Sequence, residues 1–252
     1  GNMKKNKLAL ALVLTGICAA GTAHAANDRF IIQVDNNKKG VVKALTKKLG
    51  GEIKVDGNWF IAAKFTGQDL SSLKGLLNNP HIKLIEEDHK RVPMSLFNDD
   101  VGDAMQQQIT PYAVYQSQVD QVTFDANAGM KVCVIDSGLD RSNPDFIWGN
   151  ITGDNDSGTG NWFDNGGPHG THVAGTIGAA DNVLGVVGMA PGVAMHIIKV
   201  FNESGWGYSS DLAQAADLCS QAGANIISMS LGGGDSNSTE SNAFANFTNA
   251  GG

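Results

Sequence analysis

Two rhythms of apolar residues run along the 252-residue chain, and one replaces the other near Gly129. In the first third the apolar positions come in short bursts. "RFIIQV" at 29–34 alternates like a strand, and Val41 to Leu49 carries helical spacing that Gly50-Gly51 stops. "EIKVDG" and "NWFIAAKF" read as a hairpin-like pair, "DLSSLKGLL" as a second helix and "HIKLIEED" as a last strand. The order βαββαβ over residues 27–92 predicts a small α+β module of the ferredoxin-like kind. At about 65 residues such a module is marginal for independent stability. From Gly129 the apolar runs become continuous. "KVCVID" is the pattern of a parallel strand covered on both faces, and a helix at 169–180, a strand "AMHIIKVF", a helix at 209–222 and a strand "NIISMS" follow. Parallel strands joined by helices predict an α/β fold with a doubly wound sheet. A last helix begins near Asn237, with Glu240 at the capping-box position, and stops at Gly251-Gly252. A helix of that kind should hand over to a further strand, so the sheet is expected to be incomplete within these residues.

The N-terminus has a different character. "MKKNKLALALVLTGICAAGTAHA" opens on Lys4, Lys5 and Lys7, runs apolar from Leu8 to Ala20 and ends on the small residues Ala23 and Ala25. It predicts a secretory signal peptide cut after Ala25, with Gly1 and Asn2 preceding the natural Met3. The apolar run is too short for a transmembrane helix and no later segment is long enough, so no membrane contact is expected after cleavage. The expected organisation is a signal peptide at 1–25, the small module at 26–93, a linker at 94–107 within "MSLFNDDVGDAMQQQ", and the α/β domain at 108–252. The formal charge of -7 is split between them. Residues 27–94 carry 12 Lys and Arg against 8 Asp and Glu, whereas residues 95–252 carry 3 against 17. A basic module beside an acidic domain predicts docking through complementary fields. The same acidity argues against nucleic acid as a partner.

Sites in open α/β sheets lie beyond the carboxyl ends of the strands. Asp136, in "VIDSGLD", stands at such an end, where an aspartate taken alone is more often a turn or cap residue than a functional one. His169 opens "HGTHVAGTIGAA", in which Gly170 allows close backbone approach. A zinc pair of His169 and His172 would need a general-base Glu beside the first histidine, and Gly170 stands there instead. Gly205-x-Gly207-x-x-Ser210 nearly spells a dinucleotide fingerprint, but Ser210 replaces the third glycine and no acidic residue closes "NIISMS". "GDNDSGTG" at 153–160 spaces carboxylates without the distal Glu of an EF-hand, and reads as a polar surface loop. Of three cysteines, Cys18 leaves with the signal peptide. A Cys133–Cys219 disulfide, two buried free thiols, and pairing with residues beyond 252 all stay open, although export favours a disulfide.

"VIDSGLDRSNPDF", "HGTHVAGTIGAADNVLGVVGMAP" and "ISMSLGGG", in that order and spacing, resemble the subtilisin-like serine proteases, the subtilases, of secreted bacterial type. The resemblance covers roughly residues 108–252, and the module before them is similar to a subtilase propeptide. It implies that Asp136 and His169 are the aspartate and general base of an Asp-His-Ser triad, with His172 a packed supporting residue. It implies that Ser204, Gly205, Trp206 and Gly207 pair with substrate backbone, Trp206 shaping the outer subsites. Ser230, Leu231, Gly232 and Gly233 would run along the cleft as a wall of the primary specificity pocket. The family's Gly-Thr-Ser-Met-Ala nucleophile motif and its oxyanion-hole asparagine do not occur in the 252 residues, so a C-terminally truncated, inactive precursor is implied.

After the His169 helix, Ala180, Asn182, Leu184 and Val186 alternate along an extended loop, so three backbone carbonyls and the Asn182 oxygen can converge. By resemblance this loop binds calcium (Ca2+), completed by Asp145 and Gln108. Six hard oxygen ligands suit calcium better than magnesium or zinc. The implied protein is a monomeric, secreted, extracellular endopeptidase acting on proteins and peptides, with its own propeptide as intramolecular inhibitor and chaperone. A pseudoprotease or a free propeptide-type inhibitor is the reading from another class.

Overall fold

In a computed structural model of the chain, which describes residues 27–94, 103–156 and 158–252, the alternating "RFIIQV" forms β1 (Arg29–Val34), buried from end to end. The predicted signal peptide with Cys18, and most of the predicted linker, lie outside the described residues. Helix α1 (Lys39–Lys48) follows, and Gly50 at φ 88° closes it. The hairpin pair becomes β2 (Glu52–Asp56) and β3 (Phe60–Lys64), in antiparallel register. The stretch expected as a second helix is broken. It makes a 3-10 turn at Leu70–Ser72 and only one helical turn, α2 (Lys74–Leu77). Asp69 explains the break: its carboxylate takes the Ser72 N–H and the Ser71 hydroxyl, and its carbonyl takes the Ser72 hydroxyl. Such local bonds compete with the helical ladder. Strand β4 (Ile82–Glu87) completes a four-stranded sheet of order β2-β3-β1-β4. The chain then leaves that sheet at Asp88, and a separate strand β5 (Lys90–Pro93) forms where one strand through Asp88 was expected.

The second half adds α3 (Tyr112–Gln116), β6 (Lys131–Asp136), β7 (Ile151–Asp154), α4 (His169–Gly178), β8 (Ala194–Lys199), β9 (Gly207–Tyr208), α5 (Ser209–Gln221), β10 (Ile226–Ser228), β11 (Leu231–Gly232) and α6 (Ser238–Asn249). A parallel sheet of order β10-β6-β8-β7 has helices on both faces. On one face Val132, Val134 and Ile197 pack against Ala174 of α4. On the other Cys133, Ile135 and Ile198 pack against Leu212, Ala215 and Cys219 of α5. Helix α6 starts as predicted, with the Asn237 side chain accepting the Glu240 N–H at 2.9 Å, but the capping box is only half made because the Glu240 carboxylate turns outward to Arg91. No helix among the described residues is long and apolar enough to cross a membrane.

The two halves share a core. Phe30, Ile32 and Val34 face the module's own helices. Ile31, Val55, Phe60 and Ala62 point the other way, onto Ala213 and Ala216 of α5 and Ala243 of α6. Three alanines let a sheet lie close against two helices, which buries its second face and accounts for a strand without a solvent side.

Cys133 and Cys219 are disulfide-bonded, their Cα atoms 5.7 Å apart, so α5 is tied to β6 three residues before Asp136. The bond closes a loop with a sequence separation of 86. Replacing both cysteines by alanine is expected to destabilise the fold by about 4 kcal/mol, from the entropy such a loop returns to the unfolded chain. Thermal melting of the variant and parent checks this, and equal melting points would overturn it.

Candidate active site

Three elements converge on Asp136. It ends β6 fully buried, and the Ser137 N–H donates to its Oδ1 at 2.7 Å. The Ser137 hydroxyl in turn accepts the Gly170 N–H at 2.8 Å, which stitches the end of β6 to the first turn of α4. A Cβ at Gly170 would stand 2.2 Å from the Gly138 carbonyl oxygen, so only glycine lets helix and strand end approach this closely. The approach brings His169 Nδ1 to 2.7 and 2.9 Å from the two Asp136 oxygens. Burial pushes the Asp136 carboxyl up from its ordinary range, and the bonds from His169 and Ser137 draw it part of the way back. With Nδ1–H committed to the carboxylate, Nε2 faces the cleft, 2.6 Å from the carbonyl oxygen of Met94. His172, expected to be packed, is exposed. Its position three residues along the helix carries it past the core-facing side.

Met94 is held because β5 lies in the cleft. β5 pairs antiparallel with β11 on one side, Leu231 opposite Pro93 and Gly232 opposite Val92. On the other side it pairs antiparallel with β9, Lys90 opposite Tyr208 and Arg91 opposite Gly207. The Met94 N–H donates to the Ser230 carbonyl at 2.8 Å, so Met94 continues the strand instead of opening the expected linker. Ser230, Leu231, Gly232 and Gly233 are thus brought together along β5, the Gly233 carbonyl accepting from Arg91. Of the expected edge, Gly207 pairs, while Ser204 and Gly205 are exposed and outside the ladder. Asn202 is the cause: its side chain takes the Ser204 N–H, its carbonyl takes the Gly205 N–H, and the chain turns there with Gly205 at φ 71°. Trp206 packs edge-on to Tyr208 and lies under the Lys90 ammonium, 4.2 Å from ring centroid to Nζ.

Beside the cleft, carboxylates of the basic module meet the helix starts of the acidic domain. Asp88 accepts from the Ser210 N–H and hydroxyl at the start of α5, and Glu86 accepts from the Ser238 and Thr239 N–H groups at the start of α6. Both place negative charge where a helix exposes unpaired N–H groups. Arg29 bonds Asp88 at 2.7 Å, lies 3.8 Å from Asp211 and stacks 3.6 Å above the Tyr208 ring. Asp156, in the stretch expected to be a polar surface loop, is buried beside Asp211, and among the described residues each carboxylate has an oxygen without a hydrogen-bond partner. Burial and then the Asp156 charge push Asp211 well above the ordinary carboxylate range, and burial raises Asp156 as well. Glu86 and Asp88 had one sequence signal, acidic residues closing a strand, whereas the Asp156–Asp211 pair had none.

The six residues expected to bind calcium also come together. Asp145 is buried, accepts the Val186 N–H at 2.7 Å and the Asn182 amide at 2.9 Å, while the Asn182 N–H donates to the Gln108 amide oxygen. The Ala180 N–H donates to the Asp145 carbonyl, and the Asn182 oxygen accepts the Leu184 N–H. Among the described residues no cluster of three or more His, Cys, Asp or Glu side chains is arranged for a metal.

A model described as the Subtilase family matches residues 127–251. Subtilisin E of Bacillus subtilis (strain 168) is 32% identical over 196 residues, 76% of this chain and 47% of the relative. The structure of a psychrophilic subtilisin-like protease, Apa1 from the Antarctic psychrotroph Pseudoalteromonas sp. AS-11, is 46% identical with a TM-score of 0.52, over 56% of this chain and 34% of that one. Fervidolysin from Fervidobacterium pennivorans covers 89% of this chain and 38% of its own with a TM-score of 0.68; at 20% identity the likeness is one of fold. The chain spans about half the length of the curated relatives it matches.

The raised Asp211 gives a pH prediction. A carboxyl raised in the folded state favours folding fully below its unfolded value, about 3.9, and loses that contribution as pH climbs through the folded value. Asp211→Asn should therefore melt higher than the parent at pH 8, with the gap closing toward pH 4. A gap that is constant with pH, or of the opposite sign, overturns the burial argument.

Proposed function

Since residues 127–251 place the chain in the subtilase family, we propose that it is the N-terminal part of a secreted serine endopeptidase precursor. In this reading residues 1–25 are a signal peptide, residues 26–93 a propeptide that chaperones and inhibits, and residues from 108 onward the first part of a monomeric extracellular peptidase domain. Met94 carries the reading. A carbonyl beside the histidine of an Asp–His pair, on a strand hydrogen-bonded at both edges, is where a peptide about to be cut, or just cut, would lie.

The chemistry assigned to the chain's own residues follows from that placement. Asp136 fixes the tautomer with Nε2 toward the cleft and stabilises the imidazolium. His169 Nε2 takes the proton of an attacking hydroxyl and returns it to the leaving amine, so that the bond on the far side of the Met94-type carbonyl breaks. β9 and β11 hold the substrate extended. The attacking serine and the oxyanion donor are assigned to parts of the full-length protein outside these 252 residues. Strand β10 supports this, because it lies at the sheet edge with Ile226 48% exposed, as a strand awaiting a neighbour would.

The 252-residue chain is expected to show no peptide hydrolysis, and the full-length protein to hydrolyse casein. In the full-length protein His169→Ala should lower turnover by on the order of 10⁶. Hydrolysis by the 252-residue chain that His169→Ala abolishes would overturn the assignment of the nucleophile, and casein hydrolysis by full-length protein indifferent to His169→Ala would overturn the triad.

Calcium belongs to the same proposal, and the donor set fits it. Among the described residues the carbonyls of Ala180, Leu184 and Val186 accept no hydrogen bond, and buried Asp145 has no cationic partner. The amide oxygens of Gln108 and Asn182 each keep a second lone pair. These six residues would hold the ion, which would pin the segment at 108 to the α4 loop. A melting point raised by calcium and lowered by chelator is expected, roughly 2.7 kcal/mol at a hundredfold excess over the dissociation constant. An Asp145→Ala protein with an undiminished calcium response would remove the site.

A further inference from the structure

Arg91 is the most enclosed charged group on the strand that fills the cleft. It is only 4% exposed, and nearly all that surrounds it belongs to the acidic domain. Nη1 donates to the Gly233 carbonyl and Nη2 to the Asp235 carbonyl, each at 2.9 Å, while Nε pairs with Glu240 Oε2 at 3.2 Å. Every guanidinium nitrogen is therefore used: three acceptors of the domain converge on it from two directions, and Nη1 also donates to the Lys90 carbonyl at 3.3 Å. The carbonyls point inward because Gly233 and Gly234 turn with φ of 101° and 70°. A Cβ at Gly234 would stand 2.7 Å from Nη1, so a side chain there would obstruct the pocket. Glu240 is aimed by α6, whose first turn is set by the Asn237 cap on the Glu240 N–H. All three of these acceptors belong to the acidic domain, although the module's Glu86 bonds the Ser238 and Thr239 N–H groups at the start of α6.

We infer that Glu240, with the Gly233 and Asp235 carbonyls, forms a specificity pocket for an arginine three residues before the residue whose carbonyl meets His169. The inference rests on the peptidase reading above, in which a substrate takes the register that Arg91, Val92, Pro93 and Met94 occupy. The chemistry favours arginine over other side chains. A planar fork meets two carbonyls and a carboxylate at once, whereas a lysine ammonium is a single point on a flexible stem. A leucine would leave a carboxylate and two carbonyls enclosed without donors, the kind of mismatch by which polar sites reject apolar analogues. The neighbouring position is less selective: Lys90 lies over the face of Trp206, a contact that many side chains can make.

The test uses the full-length protein after it has released its own N-terminal module, with casein and two chromogenic peptide anilides, Lys-Arg-Val-Pro-Met and Lys-Leu-Val-Pro-Met. The parent should show kcat/KM for the arginine peptide at least about tenfold above that for the leucine peptide. Glu240→Gln, which keeps shape and helix cap, should shrink that ratio severalfold, and Glu240→Arg should favour a third peptide with Glu in place of the arginine. Each ratio is taken within one protein, so the fraction folded cancels, and the parent ratio decides alone if a variant does not accumulate. Casein cleavage with equal rates on the two peptides overturns the pocket and leaves the peptidase reading intact, as does a parent ratio that Glu240→Gln leaves unchanged. No hydrolysis of casein or of any peptide overturns the peptidase reading and the pocket with it.

Discussion

Four residues of backbone, Lys90 to Pro93, hold the two halves of this molecule in their relation. β9 and β11 are two residues each, and their partner in the ladder is β5. Short strands of this kind owe their regularity to the chain that pairs with them, since an edge with unpaired N–H and C=O groups seeks a partner. By satisfying both edges, β5 sets the width of the cleft and the register of everything seated in it. The Met94 carbonyl reaches His169 because Pro93 is opposite Leu231, and Arg91 reaches Glu240 because Val92 is opposite Gly232. A slip of one residue would turn every side chain to the other face.

Around that strand, charge is sorted by element. The module offers carboxylates only at Glu86 and Asp88, where two helices of the domain begin, and cations at Arg29 and Arg91, where the domain is acidic. Net charge alone would describe a basic body attracted to an acidic one. The contacts are more particular, because acids of the basic partner sit on helix N-termini and lie within a few residues of the arginines. Such an arrangement specifies orientation as well as attraction. It also leaves Asp211 and Asp156 crowded beneath Arg29, where burial raises both and the Asp156 charge raises Asp211 further.

The parts legible in the sequence are those whose side chains repeat. β1, β6 and β8 have long apolar runs, α1 and α5 have helical spacing with glycine stops, and the Asp136 and His169 motifs stand at a strand end and a helix start, where such sites belong. What stayed hidden is made by partners and has no local pattern. β9 and β11 exist through pairing, and β5 was not foreseen, because the last strand was read to end at Asp88 and nothing after it announces a strand in another sheet. Asp69 broke a helix that spacing alone supported, and Asn202 turned Ser204 and Gly205 away from the edge they were expected to form. Glu240 was recognisable as a helix-start residue, yet its carboxylate serves a neighbour 149 positions earlier in the chain. Burial of Asp156 in a run of Gly, Asp, Asn and Ser is invisible to composition, because the cover comes from elsewhere in the fold.

The alanine-lined contact between the halves is lopsided in what it hides. On the domain side Ala213, Ala216 and Ala243 offer single methyl groups on helices that are anchored to a parallel sheet and, through Cys219, to a disulfide. On the module side the same contact covers Ile31, Val55 and Phe60 on a sheet whose other face already supplies the module's own core. Were the halves to part, the domain would wet three alanine methyls and more of the already part-exposed Ile227 and Phe244, whereas the module would bare the fully buried Ile31, Val55 and Phe60 on one sheet face. Exposed faces of that kind invite aggregation and unfolding, and a body of about 65 residues has little stability with which to resist. Separation would thus be biased in one direction: the piece that leaves is the piece least able to persist and return.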